Sequence, residues 1–228
     1  MVESPIAEPS RRTQQARTAL SDERMLAAAI RLICARGTAG TTLKEVGELA
    51  GYSRGLASYR FGTKAGLFSF LVKAVGEEWL GELRKAVQDQ VGLAAICAGT
   101  DAHYRFVRDA ADRIRAFYIL WFDSIGPDAE LKKVIAAIHE RRRRDVERWI
   151  RGGIQAGSVR PDVNVRSLAE QFCAAIIGIV YQWLVTPEAH KHIRDLHEGL
   201  KAQMTRALAH PETGTAGRKN TLSEEVNP

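Results

Sequence analysis

The chain has 228 residues, of which 45% are hydrophobic and 26% charged, a balance typical of a globular protein and not of a disordered or fibrous one. Its formal net charge is +6, and residues 1–75, with eleven Lys and Arg against six Asp and Glu, account for +5 of it. A basic first third on a nearly neutral remainder favours a polyanionic partner for the N-terminal part, with a basic surface that has no partner as the alternative.

The three cysteines, Cys34, Cys97 and Cys173, are far apart in the sequence and lie in apolar surroundings. This spacing predicts neither a disulfide framework nor a paired-cysteine metal site. The first residues contain no apolar stretch of the kind found in signal peptides. We therefore expect a cytoplasmic protein that needs no metal and no cofactor.

The first predicted elements are a flexible basic arm over residues 1–19 and a helix that follows it. The arm is polar and contains two prolines and three arginines. Ser21 is a candidate N-cap for a helix that ends near Arg36, because Gly37 can terminate it.

Two short helices follow, over about 42–50 and 53–61. Thr42 and Glu45 have the spacing of a capping box at the start of the first, and Gly51 ends it. Ser53 is a candidate N-cap for the second. Gly47 has no side chain, so the two helices can approach closely. This pattern predicts a helix-turn-helix, whose second helix enters the major groove of DNA.

The second short helix is rich in polar and basic residues where a core helix would carry Leu and Val. Hydroxyl and guanidinium groups can bind phosphates or base edges. The predicted DNA-binding residues are Thr42, Lys44, Ser53, Arg54, Gly55, Ser58, Tyr59, Arg60, Thr63 and Lys64. The alternative is an ordinary pair of antiparallel helices with a solvated polar face.

The remaining chain is predicted to be helical, which gives an all-α fold. Thr63 can cap a fourth helix that ends near Val87, and Gly or Pro residues separate the helices that follow. We expect a DNA-binding head over residues 20–66, a larger helical body over 67–210, and a disordered tail over 211–228. The helices of the body are expected at about 91–108, 111–125, 128–156, 164–185 and 188–209.

The body contains two apolar features. The uncharged stretch 171–187 is short for a membrane span and includes two glutamines, so we expect a buried helix and no membrane contact. Several large apolar side chains could line a pocket for a small apolar or aromatic ligand, or could simply form the core. The candidate ligand-binding residues are Trp79, Phe106, Phe117, Trp121, Phe172 and Ile176.

Two further patterns suggest sites but have simpler explanations. Residues 139–149 contain four consecutive arginines, and their spacing to acidic residues predicts i,i+4 ion pairs on a solvated face: Glu140–Arg144, Arg141–Asp145 and Arg143–Glu147. Of the histidines at 190, 192 and 197, only His190 and His197 share a helix face, and no acidic or Cys residue is an obvious further ligand, which argues against a metal site.

Residues 41–67 resemble the DNA-binding head of TetR-family regulators. The resemblance rests on the threonine pair at 41–42, "LAGYS" at 49–53, Arg54-Gly55, the Ser58–Arg60 segment followed by Phe61, and "GTKAGLF" at 62–68. The segments "IQAGSVRPDVNVRSLA" and "IIGIVYQWLV" more weakly resemble the C-terminal region of the same family. Ser58 and Arg60 depart from the commonest family pattern.

The resemblance implies roles for individual residues. Thr42, Lys44 and Lys64 would contact backbone phosphates, while Arg54, Gly55 and Tyr59 would face the major groove. It also implies that the last two helices pair with their copies in a second subunit. The candidate dimer-interface residues are Ile177, Val180, Tyr181, Leu184, Leu196 and Leu200.

The function that the resemblance implies is a ligand-responsive transcriptional repressor. It would bind a pseudo-palindromic operator in double-stranded DNA as a homodimer and be released by a small molecule in the body. An architectural DNA-binding protein without a ligand is the alternative. An enzyme is less favoured, because the sequence contains no catalytic or nucleotide-binding motif.

Overall fold

The computed structural model describes residues 10–127 and 129–210 of the chain, and in these ranges it contains nine helices and no strand. The prediction of an all-α fold is therefore confirmed. The helices are α1 (Ser10–Arg36), α2 (Leu43–Leu49), α3 (Arg54–Phe61), α4 (Lys64–Val87), α5 (Gly92–Asp109), α6 (Ala111–Asp123), α7 (Ala129–Gln155), α8 (Val165–Val185) and α9 (His190–Leu208).

Helix α1 is longer than the sequence predicted. It begins at Ser10 and not at Ser21, so residues 10–19 of the expected arm are helical, while residues 1–9 lie outside the described residues. The Ser21 hydroxyl donates to the carbonyl of Thr18 at 2.8 Å and caps no helix. Between Ser10 and Ser21 there is no Gly or Pro, and Arg, Gln and Ala propagate a helix readily. The predicted tail, 211–228, also lies outside the described residues.

The other helix ends agree with the prediction to within about two residues, because their signals are local. The largest shifts are of two residues: α6 ends at Asp123 and not at 125, and α9 begins at His190 and not at 188, after a turn that contains Pro187. Such differences are within the usual fraying of helix ends.

Helix α4 belongs to both parts of the molecule, and the predicted boundary at residue 66 falls inside it. Its first turns complete the core of the head, where Leu67 and Leu71 are fully buried beside α1 to α3. Its second half packs against α5, α6 and α7 of the body. At 24 residues, α4 spans about 36 Å.

A second connection between head and body is formed by α1 and α6. The Cys34 thiol donates to the carbonyl of Asp112 at 3.4 Å, at the start of α6. The Thr38 hydroxyl, in the turn after α1, donates to the carboxylate of Asp123 at the end of α6. The turn that leads into α2 is thus tied directly to a helix of the body.

Helix α8 packs against α7 and α9 and exposes its other side. By length and composition alone it could cross a membrane, a criterion that core helices of soluble proteins also meet. Within the chain, 33% of its most apolar stretch is buried. One side of α8 therefore faces the core, as predicted, and an apolar side remains at the surface.

Candidate DNA-binding surface and ligand cavity

The start of α2 is held by Thr42 and Glu45. The Thr42 hydroxyl oxygen accepts from the amide of Glu45 at 3.2 Å and donates to its carboxylate at 2.8 Å. Arg36 pairs with the same carboxylate at 2.9 Å. The bond from Thr42, followed by the charge of Arg36, lowers the pKa of Glu45 below its ordinary value. The predicted cap is confirmed, and it connects α2 to the end of α1.

The turn between α2 and α3 is tight because of two glycines. Gly51 has a φ of +80°, which favours glycine, and the amide of Tyr52 donates to the carbonyl of Gly47 at 2.9 Å. A Cβ atom on Gly47 would meet the carbonyl oxygen of Ser53 at 3.2 Å and Ala57 at 3.5 Å. The close approach predicted at Gly47 is therefore confirmed, and α3 crosses α2 at short range.

Helix α3 buries one face and exposes the other. Ala57 is fully buried, Leu56 and Phe61 are partly buried, and Tyr59 is 88% exposed. Arg54 is the first helical residue. The exposed positions of α3 include Gly55, Ser58, Tyr59 and Arg60.

Ser53 occupies the N-cap position of α3 with extended backbone, but its side chain makes no capping hydrogen bond. The capping role predicted for Ser53 is therefore absent. The Ser53 side chain is exposed at the amino end of α3, beside Gly55.

Arg60 has a partner within the chain that the sequence did not predict. Its Nε lies 2.7 Å from Oδ1 of Asp22 and its Nη2 lies 2.5 Å from Oδ2, a bidentate pair between α3 and α1. Asp22 precedes Arg60 by 38 positions, so no local pattern indicates the contact. Any DNA contact by Arg60 would compete with this pair.

The start of α4 lies beside the same surface. Thr63 caps the helix by accepting from the amide of Gly66 at 3.0 Å, as predicted. Lys64 donates to the carbonyl of Ala39 at 3.2 Å and lies 5.7 Å from the ring centre of Phe68. Lys44 is exposed and, among the described residues, forms no ion pair. We call the exposed side formed by α2, α3 and the start of α4 the head surface.

The body encloses a cavity of about 340 Å³ between α4, α5, α6, α7 and α8. Five of the six predicted ligand-binding residues line it: Trp79, Phe106, Phe117, Phe172 and Ile176. Trp121 is not among the residues that line the cavity. Its ring is 5% exposed, stacks on Tyr118 at 5.3 Å and meets His139 at 4.4 Å, so it lies behind the cavity wall.

The arginine run of α7 contributes polar groups to the cavity, beside Lys73 and Glu77 of α4 and Tyr118 of α6. Arg141 and Arg142 both line the cavity, so this run is only partly a solvated face. Arg141 lies 3.8 Å from Glu77 of α4. Of the three predicted ion pairs, only Glu140–Arg144 forms, at 2.9 Å; Asp145 pairs with Arg148 and Glu147 with Arg151, one turn further along α7.

Two histidines form a buried pair at the edge of the cavity. Nδ1 of His103 lies 3.0 Å from Nε2 of His197, and Nδ1 of His197 lies 2.8 Å from the carbonyl of Ile193. A carbonyl only accepts, so neutral His197 donates from Nδ1 and accepts from His103 at Nε2. Burial, followed by electrostatic interactions with His197 and Arg142, holds the pKa of His103 well below 6.5. Burial also lowers the pKa of His197.

The predicted dimer-interface residues differ in their exposure. Val180 and Leu200 are buried within the chain, at 0% and 5% exposure, so the chain itself covers these two side chains. The cause is packing of α8 and α9 against the core. Ile177, Leu184 and Leu196 are partly buried, and Tyr181 is 56% exposed.

The exposed side of α8 also includes Ala174, Gly178 and Val185. Sequence reasoning missed these positions, because a helix that is apolar all round does not indicate which side packs inward. In residues 10–127 and 129–210, no group of three or more His, Cys, Asp and Glu side chains is placed to hold a metal ion.

Comparison with known proteins connects this geometry to one family. Residues 25–70 match the family of bacterial regulatory proteins, tetR family, which confirms the resemblance noted for residues 41–67. A curated relative, the uncharacterized HTH-type transcriptional regulator YfiR of Bacillus subtilis (strain 168), is 23% identical over 168 residues, or 74% of this chain and 82% of YfiR.

Solved structures share the fold of the chain. A TetR transcriptional regulator from Chloroflexus aurantiacus is 18% identical with a TM-score of 0.73, covering 86% of this chain and all of that one. The SmeT–triclosan complex is 20% identical with a TM-score of 0.70, covering 91% of this chain and 99% of SmeT. These likenesses extend through the body as well as the head.

Proposed function

We propose, from the premise that this chain is a TetR-family transcriptional regulator, that it is a cytoplasmic repressor released from its operator by a small molecule. It binds a pseudo-palindromic site in double-stranded DNA as a homodimer. The observation that carries the proposal is α4, which begins at Lys64 on the head surface and lines the cavity with Trp79 and Leu83.

DNA binding is supported by the chemistry of the head surface. Lys44 at α2 is exposed and has no ion pair among the described residues, and the amino ends of α3 and α4 carry backbone amides of the kind to which phosphates bind readily. Tyr59 projects from α3 with almost no cover from the chain, although burying it would be favourable. A helix placed in the major groove would bury it.

Dimerisation is supported by the exposed apolar side of α8. A helix with this composition that is one-third buried leaves apolar surface in water, and contact with a second copy would remove it. A two-fold axis along α8 and α9 would place two head surfaces in opposite orientations, as a pseudo-palindromic operator requires.

Ligand control is supported by the two connections between the cavity and the head. A ligand beside Trp79 contacts α4 directly, and one beside Phe117 contacts α6, whose end is bonded to Thr38. A ligand that binds better to one arrangement of these helices shifts the head surfaces accordingly. The structure of SmeT with triclosan is a complex of a similarly folded protein with a small molecule.

The alternative of an architectural DNA-binding protein is less favoured because the body contains a cavity, whereas that alternative expects a filled body. An enzyme is not favoured because family and fold point to a transcriptional regulator.

The proposal is tested by selecting binding sites from a random duplex library with the purified protein. We expect enriched sequences to contain an inverted repeat and to bind one or more dimers, as measured by analytical ultracentrifugation of the complex. Enrichment of asymmetric sites bound by a monomer, or no enrichment, would contradict the proposal. Release by ligand is measured separately, by titrating compounds against the protein–operator complex.

A further inference from the structure

We propose that the cavity binds a small amphiphile with one acidic group, whose carboxylate is held by Arg142 and Tyr118 while its apolar part lies against the aromatic wall. This inference rests on the proposed function of the cavity as a ligand site and names the class of ligand. Four observations support it: a guanidinium nitrogen and a phenol hydroxyl that are buried without a hydrogen-bond partner among the described residues, the charge of the cavity, and its apolar wall.

The first observation is the unpartnered guanidinium of Arg142. Its Nη1 atom is buried and, among the described residues, has no hydrogen-bond partner. Its Cζ lies 5.0 Å from the ring centre of Trp121, which holds the group in place without satisfying its donors. A buried charged donor without an acceptor is strongly unfavourable, so an acceptor supplied by a ligand would be bound tightly.

Arg142 differs in this respect from its neighbours on α7. Arg143 and Arg144 bind the carboxylate of Glu140, Arg148 binds Asp145, and Arg151 binds Glu147, all within 3 Å. No described carboxylate pairs with Arg142. Arg142 also lines the cavity, as Arg143, Arg144 and Arg151 do not.

The second observation is the phenol of Tyr118 on α6. The side chain is 1% exposed, it lines the same cavity, and its hydroxyl has no hydrogen-bond partner among the described residues. Its ring stacks on Trp121 at 5.3 Å. Arg142 and Tyr118 both contact the Trp121 ring and both line the cavity, so each can offer a donor to an acidic ligand bound there.

The third observation is how the charged side chains that line the cavity are paired. Arg141 faces Glu77 at 3.8 Å, and Asp145 is already paired with Arg148, so the acidic groups of the cavity have cationic partners. Burial and the charge of Arg142 also lower the pKa of His139, which keeps this imidazole neutral at pH 7. The charge of Arg142 is thus left for an anion to neutralise.

The fourth observation is the size and character of the remaining wall. Trp79 lies 5.4 Å from Phe106 between ring centres, and Phe117, Phe172 and Ile176 complete an apolar surface. A volume of about 340 Å³ is at the lower end of the range for small-molecule sites. It suits one compact or flexible apolar group attached to a single acid.

The test uses isothermal titration calorimetry of the full chain with two acids, dodecanoate and naphthylacetate, and their matched alcohols, dodecanol and naphthylethanol. We expect at least one acid to bind the wild type at least about ten-fold more tightly than its alcohol, because only the acid forms charge-assisted bonds. Equal binding of acid and alcohol, or no binding of either acid, would overturn the proposal.

Three variants assign the effect to its residues. Arg142→Gln should abolish the preference for the acid, and Tyr118→Phe should reduce it while the ring keeps its packing. Arg151→Gln removes the same charge from an exposed, paired position of α7 and should leave the preference unchanged. Circular dichroism and thermal unfolding verify that each variant is folded. An acid preference that survives in folded Arg142→Gln would refute the assignment.

Different experimental results would contradict the proposed ligand class and the proposed release from the operator. An acid that binds with the expected preference but has equal affinity for free and operator-bound protein would keep the ligand class and refute release by ligand. If cavity ligands left operator binding unchanged, that result would also keep the ligand class and refute release by ligand, since the coupling between two binding sites is reciprocal.

Discussion

Arg60 of α3 and Asp22 of α1 are joined by two parallel hydrogen bonds, so a residue expected to face DNA is held by the core helix behind it. The pair connects α3 to α1. Because the Arg60 and Asp22 side chains are 43% and 19% exposed, solvent weakens their attraction.

We expect Arg60→Ala and Asp22→Ala each to lower the free energy of unfolding by about 0.5–1 kcal/mol. The double variant should lose little more than either single one. Urea unfolding of the four proteins measures this, and additive losses would show that the pair contributes nothing. If Asp22→Ala leaves operator affinity intact while Arg60→Ala lowers it, Arg60 also contacts DNA.

Lys44 should act as a phosphate contact that does not depend on sequence. Lys44→Ala should weaken binding to operator and random duplexes alike, and should reduce the slope of log affinity against log salt by about one. Lys85→Ala, about 30 Å along α4 from Lys64 and paired with Glu82, is the control and should change neither. An unchanged slope in Lys44→Ala would remove Lys44 from the DNA contacts.

Gly55 offers a test in which stability and DNA binding move in opposite directions. A Cβ atom at Gly55 would meet nothing within 4 Å in the chain, so Gly55→Ala should stabilise the protein by about 0.5–1 kcal/mol through the backbone. If the backbone of α3 approaches DNA here, operator affinity should fall.

Gly81→Ala on α4 is the matched control for Gly55→Ala, because its Cβ would also meet open space. Gly81→Ala should raise the stability of the protein without changing its affinity for operator DNA. Gel-shift assays measure the operator affinity of both variants, and thermal unfolding measures their stability. Operator binding by Gly55→Ala as tight as that of the wild type would contradict close approach of the α3 backbone to DNA.

The exposed side of α8 can be blocked at Gly178 without disturbing the fold of the chain. A Cβ atom at Gly178 would meet no atom of the chain within 4 Å, whereas Ile179 is 5% exposed and its replacement would damage the core. Gly178→Arg should give a folded monomer, because Arg favours a helix but would clash across a close subunit contact.

Sedimentation and circular dichroism report oligomeric state and folding for Gly178→Arg, with Gly81→Arg as the control. Operator affinity should fall together with dimerisation. A folded dimer in Gly178→Arg would exclude this side of α8 from the interface.

The buried histidine pair predicts a pH dependence of stability. The pKa values of His103 and His197 are lowered below 6.5 in the folded protein, so the unfolded chain binds more protons once the pH falls below about 6.5. The stability that depends on the neutral histidine pair is fully present above that pH. It is lost as the pH falls toward the pKa values that the two histidines have in the folded protein, by up to about 1.4 kcal/mol per pH unit for each imidazole.

Replacing one member of the pair should reduce this pH dependence. His103→Asn should have a shallower slope between pH 7 and pH 5 than the wild type, while His190→Asn, on the surface, should not differ. Urea unfolding at several pH values provides the measurement. A slope in His103→Asn equal to that of the wild type would show that the pair is not responsible.

The sequence by itself determined the head and the helical class. Thr42 with Glu45, Gly51, and Thr63 are capping and turn signals that act over three or four residues, and the helix-turn-helix follows from them. Five of the six residues predicted at the cavity also line it, since large aromatic side chains in an all-α body gather where helices converge.

Only the tertiary structure decided which side of each body helix faces which neighbour. His103 and His197 are 94 positions apart, and Asp22 and Arg60 are 38, so no local pattern connects them. The position of a side chain around a helix follows from the crossing of helices distant in the sequence. That packing placed Trp121 behind the cavity wall and turned Arg142, from a run that looked solvated, toward the cavity.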